Sequence, residues 1–139
     1  MPAHDDEAAV IQALRGYYDA SNERDLQTMV SYYHEPVMFI TARGVVTRAT
    51  HADATQVLAE FFERLRSESV ARSDWADSHI KQLSDTLAVA SVVVARYRAD
   101  GQELERERAG WTYLLHKTGN GWKIAVLAGH PPDTILRVD

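Results

Sequence analysis

Apolar positions in the first half of the chain follow a helical period. Val10, Leu14 and Tyr17 recur at i, i+4 and i+7, with Ile11 and Tyr18 beside them, which predicts an amphipathic helix over about residues 5–20. The acidic run Asp5-Asp6-Glu7 favours its N-terminus, and Ser21-Asn22 ends it. Leu26, Met29, Val30 and Tyr33 share one face of a second, short helix, capped by Asp25 and closed by Pro36. Val37–Thr41 then reads as a short strand, Ala42-Arg43-Gly44 as a turn and Val45–Thr47 as its return. Val57, Leu58, Phe61, Phe62 and Leu65 form the stripe of a third helix starting near Thr50, where Thr50 and Asp53 resemble a capping box.

The second half reads as sheet. Trp75–Leu83, Leu87–Arg98, Glu103–His116 and Trp122–Ala128 are the predicted strands, with turns at Asp100-Gly101 and Thr118–Gly121. No helix separates them, so they form an antiparallel meander, and the fold class is α+β. Leu87–Tyr97 carries apolar residues at both parities, so both faces of that strand are buried. Three helices cannot cover both faces of a long sheet. The second face must meet another subunit or line a cavity.

Composition narrows the classes. The 139 residues, 45% apolar and 25% charged, suit one soluble domain spanning 1–139 with its core at about 7–129. A net charge of −5 disfavours nucleic acid or an anionic membrane as partner. With no cysteine there is no disulfide, thiol nucleophile, iron–sulfur cluster or thiolate zinc site. The acidic start lacks the layout of a signal peptide, and the longest apolar stretch, near Leu87–Ala95, is too short to span a membrane; a cytoplasmic location is expected. No HExxH, P-loop or G-x-G-x-x-G occurs, so neither a metal nor a cofactor is expected.

Three segments carry a family resemblance. Asn22-Glu23-Arg24-Asp25-Leu26 follows the first helix as an N-x-x-D-hydrophobic link. Met29-Val30-Ser31-Tyr32-Tyr33-His34-Glu35-Pro36-Val37 leads into the first strand. Trp111–Leu115 and Asn120-Gly121-Trp122-Lys123-Ile124 make a closing hairpin with a G-W-K-I return. Over Glu7–Gly129 the chain resembles the superfamily of nuclear transport factor 2 (NTF2-like), ketosteroid isomerase and SnoaL-like proteins. That resemblance implies a cone: a strongly curved antiparallel sheet packed against three N-terminal helices, a pocket between them, and a homodimer through the outer sheet face. It does not fix a function, because the superfamily hosts enzymes and non-catalytic partners alike.

The isomerase branch uses a helix tyrosine and a neutral aspartic acid as an oxyanion hole and a second aspartate as base. Tyr17 falls at the position of that tyrosine, but Thr41 stands where the base would be. Ala109, Gly110, Trp111 and Thr112 offer no acid opposite, so that mechanism is not expected. Other relatives use a His–Asp pair. Trp75, Asp77 and His79 share one face of a regular strand, which makes His79 a candidate general acid/base, Asp77 its orienting partner and Tyr17 a hydroxyl donor. The plain alternative for His79 is a half-exposed sheet histidine. Tyr32, Phe39, Phe61, Trp75 and Trp111 are the expected ligand-binding aromatics. Arg106 or Arg108 could orient an anion, and Arg96 and Arg98 on the neighbouring strand make a basic cluster possible, facing Glu103–Glu107. Two functions follow: binding of a small, mostly apolar molecule, with cofactor-free lyase or isomerase chemistry as its catalytic version, or a non-catalytic binding or protein-interaction domain.

Overall fold

The structure, a computed structural model, describes residues 6–137. His4 and Asp5, the second counted above in the first helix, lie outside the described residues. Helix α1 (Glu7–Asn22) is held to the body by the stripe the period predicts, since Val10, Leu14 and Tyr17 are all buried. Each such fully buried aliphatic side chain contributes about 2 kcal/mol. A glycine, Gly16, stands within the continuous α1 because the Tyr32 hydroxyl occupies the place a Cβ would take.

The Asn22–Leu26 link does specific structural work. The Asn22 side chain accepts from Ser73 N–H at 2.8 Å and donates to Ser73 C=O at 2.9 Å, tying the end of α1 to the sheet. Arg24 takes a left-handed backbone (φ 55°), and its guanidinium donates to Ser21 C=O and Val70 C=O. Asp25 caps α2 (Leu26–Val30) by accepting from Thr28 N–H. Helix α3 (His51–Ser67) starts where Thr50 Oγ1 accepts from Asp53 N–H at 3.1 Å, the cap expected from sequence. His51 anchors that start to the sheet, its backbone N–H donating to Glu35 and its ring meeting Tyr33 C=O at 2.7 Å.

The strands are β1 (Tyr33–Thr41), β2 (Gly44–Arg48), β3 (Arg72–Gln82), β4 (Leu87–Tyr97), β5 (Ala109–Thr118) and β6 (Gly121–His130). They form one open sheet in the order β2-β1-β6-β5-β4-β3. The meander β3–β6 is antiparallel as expected. The strongly curved, fully antiparallel cone is corrected. β1 lies parallel to β6, the sheet is therefore mixed, and its two edges, β2 and β3, stay apart rather than closing. The physical reason is connectivity. Two helices precede β1 and α3 separates β2 from β3, so β1 is free to seat on the edge the meander leaves at β6, and it runs there in β6's own direction.

A second difference concerns β5. The expected strand from Glu103 begins only at Ala109, because Glu105–Glu107 makes a 3-10 turn and Arg108 pairs with Glu103 at 2.6 Å. β4 is buried on both faces from Ala88 to Arg96. Ala88, Ala90, Val92 and Val94 join the core under the helices. On the other face Ser91 Oγ accepts from Leu136 N–H at 2.8 Å, so the chain's own C-terminal segment lies against that face.

Candidate functional site

Between helices and sheet lies a cavity of about 340 Å³. α1 supplies Tyr17, Tyr18 and Ser21, and α3 supplies Val57, Leu58, Glu60, Phe61 and Arg64. The sheet supplies Tyr33, Phe39, Thr41, Ser73, Val94, Arg96, Trp111, Tyr113 and Leu127, with Met29 and Arg43 completing the wall. The lining is mostly apolar and aromatic, as small-molecule pockets are. Thr41, Arg43, Glu60 and Arg64 are exposed and mark the mouth.

Four tyrosines set the interior chemistry. Tyr17 packs its ring against Tyr18, Tyr33 and Tyr113 at centroid distances of 5.8, 5.5 and 6.2 Å. The hydroxyls pair, one donating to the other in each case: Tyr17 with Tyr33 at 2.7 Å and Tyr18 with Tyr113 at 2.6 Å. Burial pushes all four phenols up, Tyr18 to about 12 and Tyr17, Tyr33 and Tyr113 well above the ordinary value. They stay neutral at physiological pH and can donate, but none can serve as a base there.

Arg96, on the inner face of β4 opposite Ser73, is only 6% exposed. Its guanidinium lies 5.8 Å from the Phe61 ring centroid, and Arg64 lies 5.3 Å from the same ring. Burial first, then the like charge of Arg64, lowers the Arg96 pKa.

Of the residues expected in the site, Tyr17, Phe39, Phe61 and Trp111 line the cavity. Tyr32 and Trp75 pack against the same core without lining it. Asp77 and His79 do meet each other, Oδ2 to Nε2 at 3.5 Å, but elsewhere. The register of β3 against β4 slips between Trp75 and Asp77. Trp75 pairs with Val94 on the inner face, whereas Asp77 and His79 pair with Val93 and Ser91 on the outer one. Residues directly opposite in an antiparallel pair share a face, so one extra residue at Ala76 parts His79 from Trp75. On that outer face Arg137 approaches both, at 3.6 Å from Asp77 and 3.5 Å from His79. Arg108 is engaged by Glu103, and Arg106 is exposed.

The buried role of Arg96 and the tyrosine pairs was not foreseen. A signal for Arg96 was available, since it is the one charge inside the Val/Ala run of a strand buried on both faces. The tyrosine pairs join residues up to 95 positions apart and leave no local trace. Among the described residues no three His, Asp or Glu side chains gather as a metal site, and no helix is long and apolar enough to cross a membrane.

Comparison with known proteins fits this architecture. An NTF2-like protein of unknown function from Shewanella oneidensis superposes with a TM-score of 0.66 at 21% identity, covering 88% of this chain and 96% of that one. A domain of unknown function with a cystatin-like fold from Nostoc punctiforme gives 0.70 at 19% identity, covering 94% and 79%. An NTF2-like protein with a cystatin-like fold from Novosphingobium aromaticivorans gives 0.69 at 14% identity, covering 90% and 80%. At such identities the likeness speaks for the fold alone. No curated protein matches the chain. The family model described as NTF2-like protein (DUF6841) matches residues 6–132, and with the helices, mixed sheet and pocket already seen, the chain belongs to that NTF2-like family.

Proposed function

We propose that this chain is a non-catalytic binding protein that holds one small, mostly apolar molecule in the pocket between α1, α3 and the sheet. The observation that carries the reading is the cavity of about 340 Å³, walled by Phe39, Phe61, Trp111, Leu58 and Leu127, with tyrosine hydroxyls closed onto one another. A volume of that size admits a molecule of two or three rings, near the lower end of known ligand pockets of about 300–1,000 Å³. Binding is favoured over catalysis because the interior offers no base. Its tyrosines are held neutral, its buried arginine cannot accept a proton, and Glu60 sits exposed at the mouth. The catalytic version would need His79 and Asp77, which share the outer face with Arg137.

The test is titration with N-phenylnaphthylamine, a neutral fluorophore that brightens in apolar surroundings. Saturable binding of one molecule per chain, lost in Leu58→Trp with the fold retained by circular dichroism, is expected. Absence of saturable binding, or equal binding by Leu58→Trp, removes the reading.

A further inference from the structure

Resting on that reading, we propose that the pocket's ligand is an organic acid, an apolar body ending in one carboxylate that seats on the guanidinium of Arg96. Three observations converge on it. Arg96 lines the cavity at 6% exposure, and its Nε is buried with no hydrogen-bond partner. None of the ion pairs among the described residues includes it. Glu68 and Glu107 reach it only through their field, and Arg64 opposes them with a like charge. A buried charge without a partner is costly, and proteins supply one. Here the chain does not supply it. The Phe61 face gives some cation–π attraction, but it leaves the guanidinium donors unused.

The second observation is the charge of the lining. Arg43, Arg64 and Arg96 stand against Glu60 alone, in a chain whose net charge is −5. Positive charge is therefore concentrated at this pocket against the general composition. The third is the state of the neighbouring donors. The Tyr18–Tyr113 bond takes up one of the two hydroxyl protons there, whereas Arg96 Nε–H has no partner at all, which makes the Arg96 fork the one charged donor set at the buried end for an incoming group. A planar guanidinium matches a carboxylate through two parallel hydrogen bonds. Phe39, Phe61, Trp111 and Leu127 then enclose the apolar body.

The experiment displaces N-phenylnaphthylamine with naphthalene carboxylate or with naphthalene methanol, its neutral counterpart of similar shape. It compares the unaltered protein with Arg96→Gln and with Arg108→Gln, which alters an arginine outside the pocket. The acid should compete at about tenfold lower concentration than the alcohol, as hydrogen bonds to a charged group imply. Arg96→Gln should bring that ratio to about one, and Arg108→Gln should keep it. If the fluorophore does not bind at all, the pocket reading falls and this inference with it. If the fluorophore binds but acid and alcohol compete equally, or if Arg96→Gln keeps the preference, the carboxylate assignment alone is overturned. Should Arg96→Gln not fold, the Arg96 Nε–H resonance in unaltered, nitrogen-labelled protein decides. It should move on adding the acid and hold still for the alcohol; no movement with the acid refutes the seat.

Discussion

Tyr17 and Tyr33 carry hydroxyls that only each other can satisfy. Their oxygens lie 2.7 Å apart, and both side chains are buried. Removing one hydroxyl strands the other, and an unsatisfied buried polar group costs about 1–3 kcal/mol. Tyr17→Phe should lower unfolding stability by about 2 kcal/mol in urea melts, and adding Tyr33→Phe should return part of that loss. A double-variant loss equal to or larger than the sum of the two single losses would show the hydroxyls do not act as a pair. The same burial makes stability depend on alkaline pH. In the unfolded chain a phenol loses its proton near pH 10, whereas Tyr18 in the fold keeps it to about 12 and burial also holds Tyr17, Tyr33 and Tyr113 well above the ordinary value. The contribution is whole below the unfolded value and is lost as pH rises toward the folded one. The urea midpoint should therefore fall steadily from about pH 10 upward while the absorbance of ionised phenol lags behind unfolding. Phenol ionisation of all six tyrosines near pH 10 in the folded protein would contradict the packing described.

Helix α3 brings Val57, Leu58, Phe61 and Arg64 to the cavity, so whatever fixes its start also fixes one wall. Thr50→Ala removes the cap on Asp53 N–H and should cost about 1 kcal/mol, read as a melting temperature lowered by about 4 °C. No change would mean that His51 and Glu35 alone hold that end. This cap was legible from Thr50 and Asp53, just as α1 was from Val10, Leu14 and Tyr17, because both depend on neighbours within one turn. What escaped depended on partners far along the chain. Nothing near Val37 announces that β1 will lie parallel to β6, and nothing near Ala76 announces the slip that parts His79 from Trp75. The alternating charges at Glu103–Arg108 look like strand but become a 3-10 turn once Arg108 closes on Glu103. β4 was rightly read as buried on both faces, yet the outer cover includes the chain's own end, where Leu136 reaches Ser91 and Arg137 reaches Asp77. Removing residues 131–139 should lower the melting temperature, since it uncovers that face. An unchanged melt would show that the segment contributes no cover.

At the scale of the whole molecule, the arginine-lined pocket sits in an acidic protein. A dispersed negative charge repels an incoming acid, while Arg43 and Arg64 at the mouth attract it over the last distance. Which field wins depends on salt. The Debye length shortens from about 30 Å at 0.01 M to about 10 Å at 0.1 M and about 3 Å at 1 M. Salt that screens the distant carboxylates but not the nearby mouth should speed the approach of naphthalene carboxylate, and further salt should slow it. Steering acts on association, whereas a pairing buried at Arg96 is screened little and governs escape. Stopped-flow traces should therefore show an association rate that passes through a maximum near 0.1 M salt and then falls by roughly fivefold toward 1 M, as steered association does when screened. The dissociation rate should stay nearly constant throughout, and naphthalene methanol should show neither trend. A dissociation rate that climbs with salt while association stays flat would place the carboxylate at the exposed mouth, on Arg43 or Arg64, and not at the buried end of the cavity.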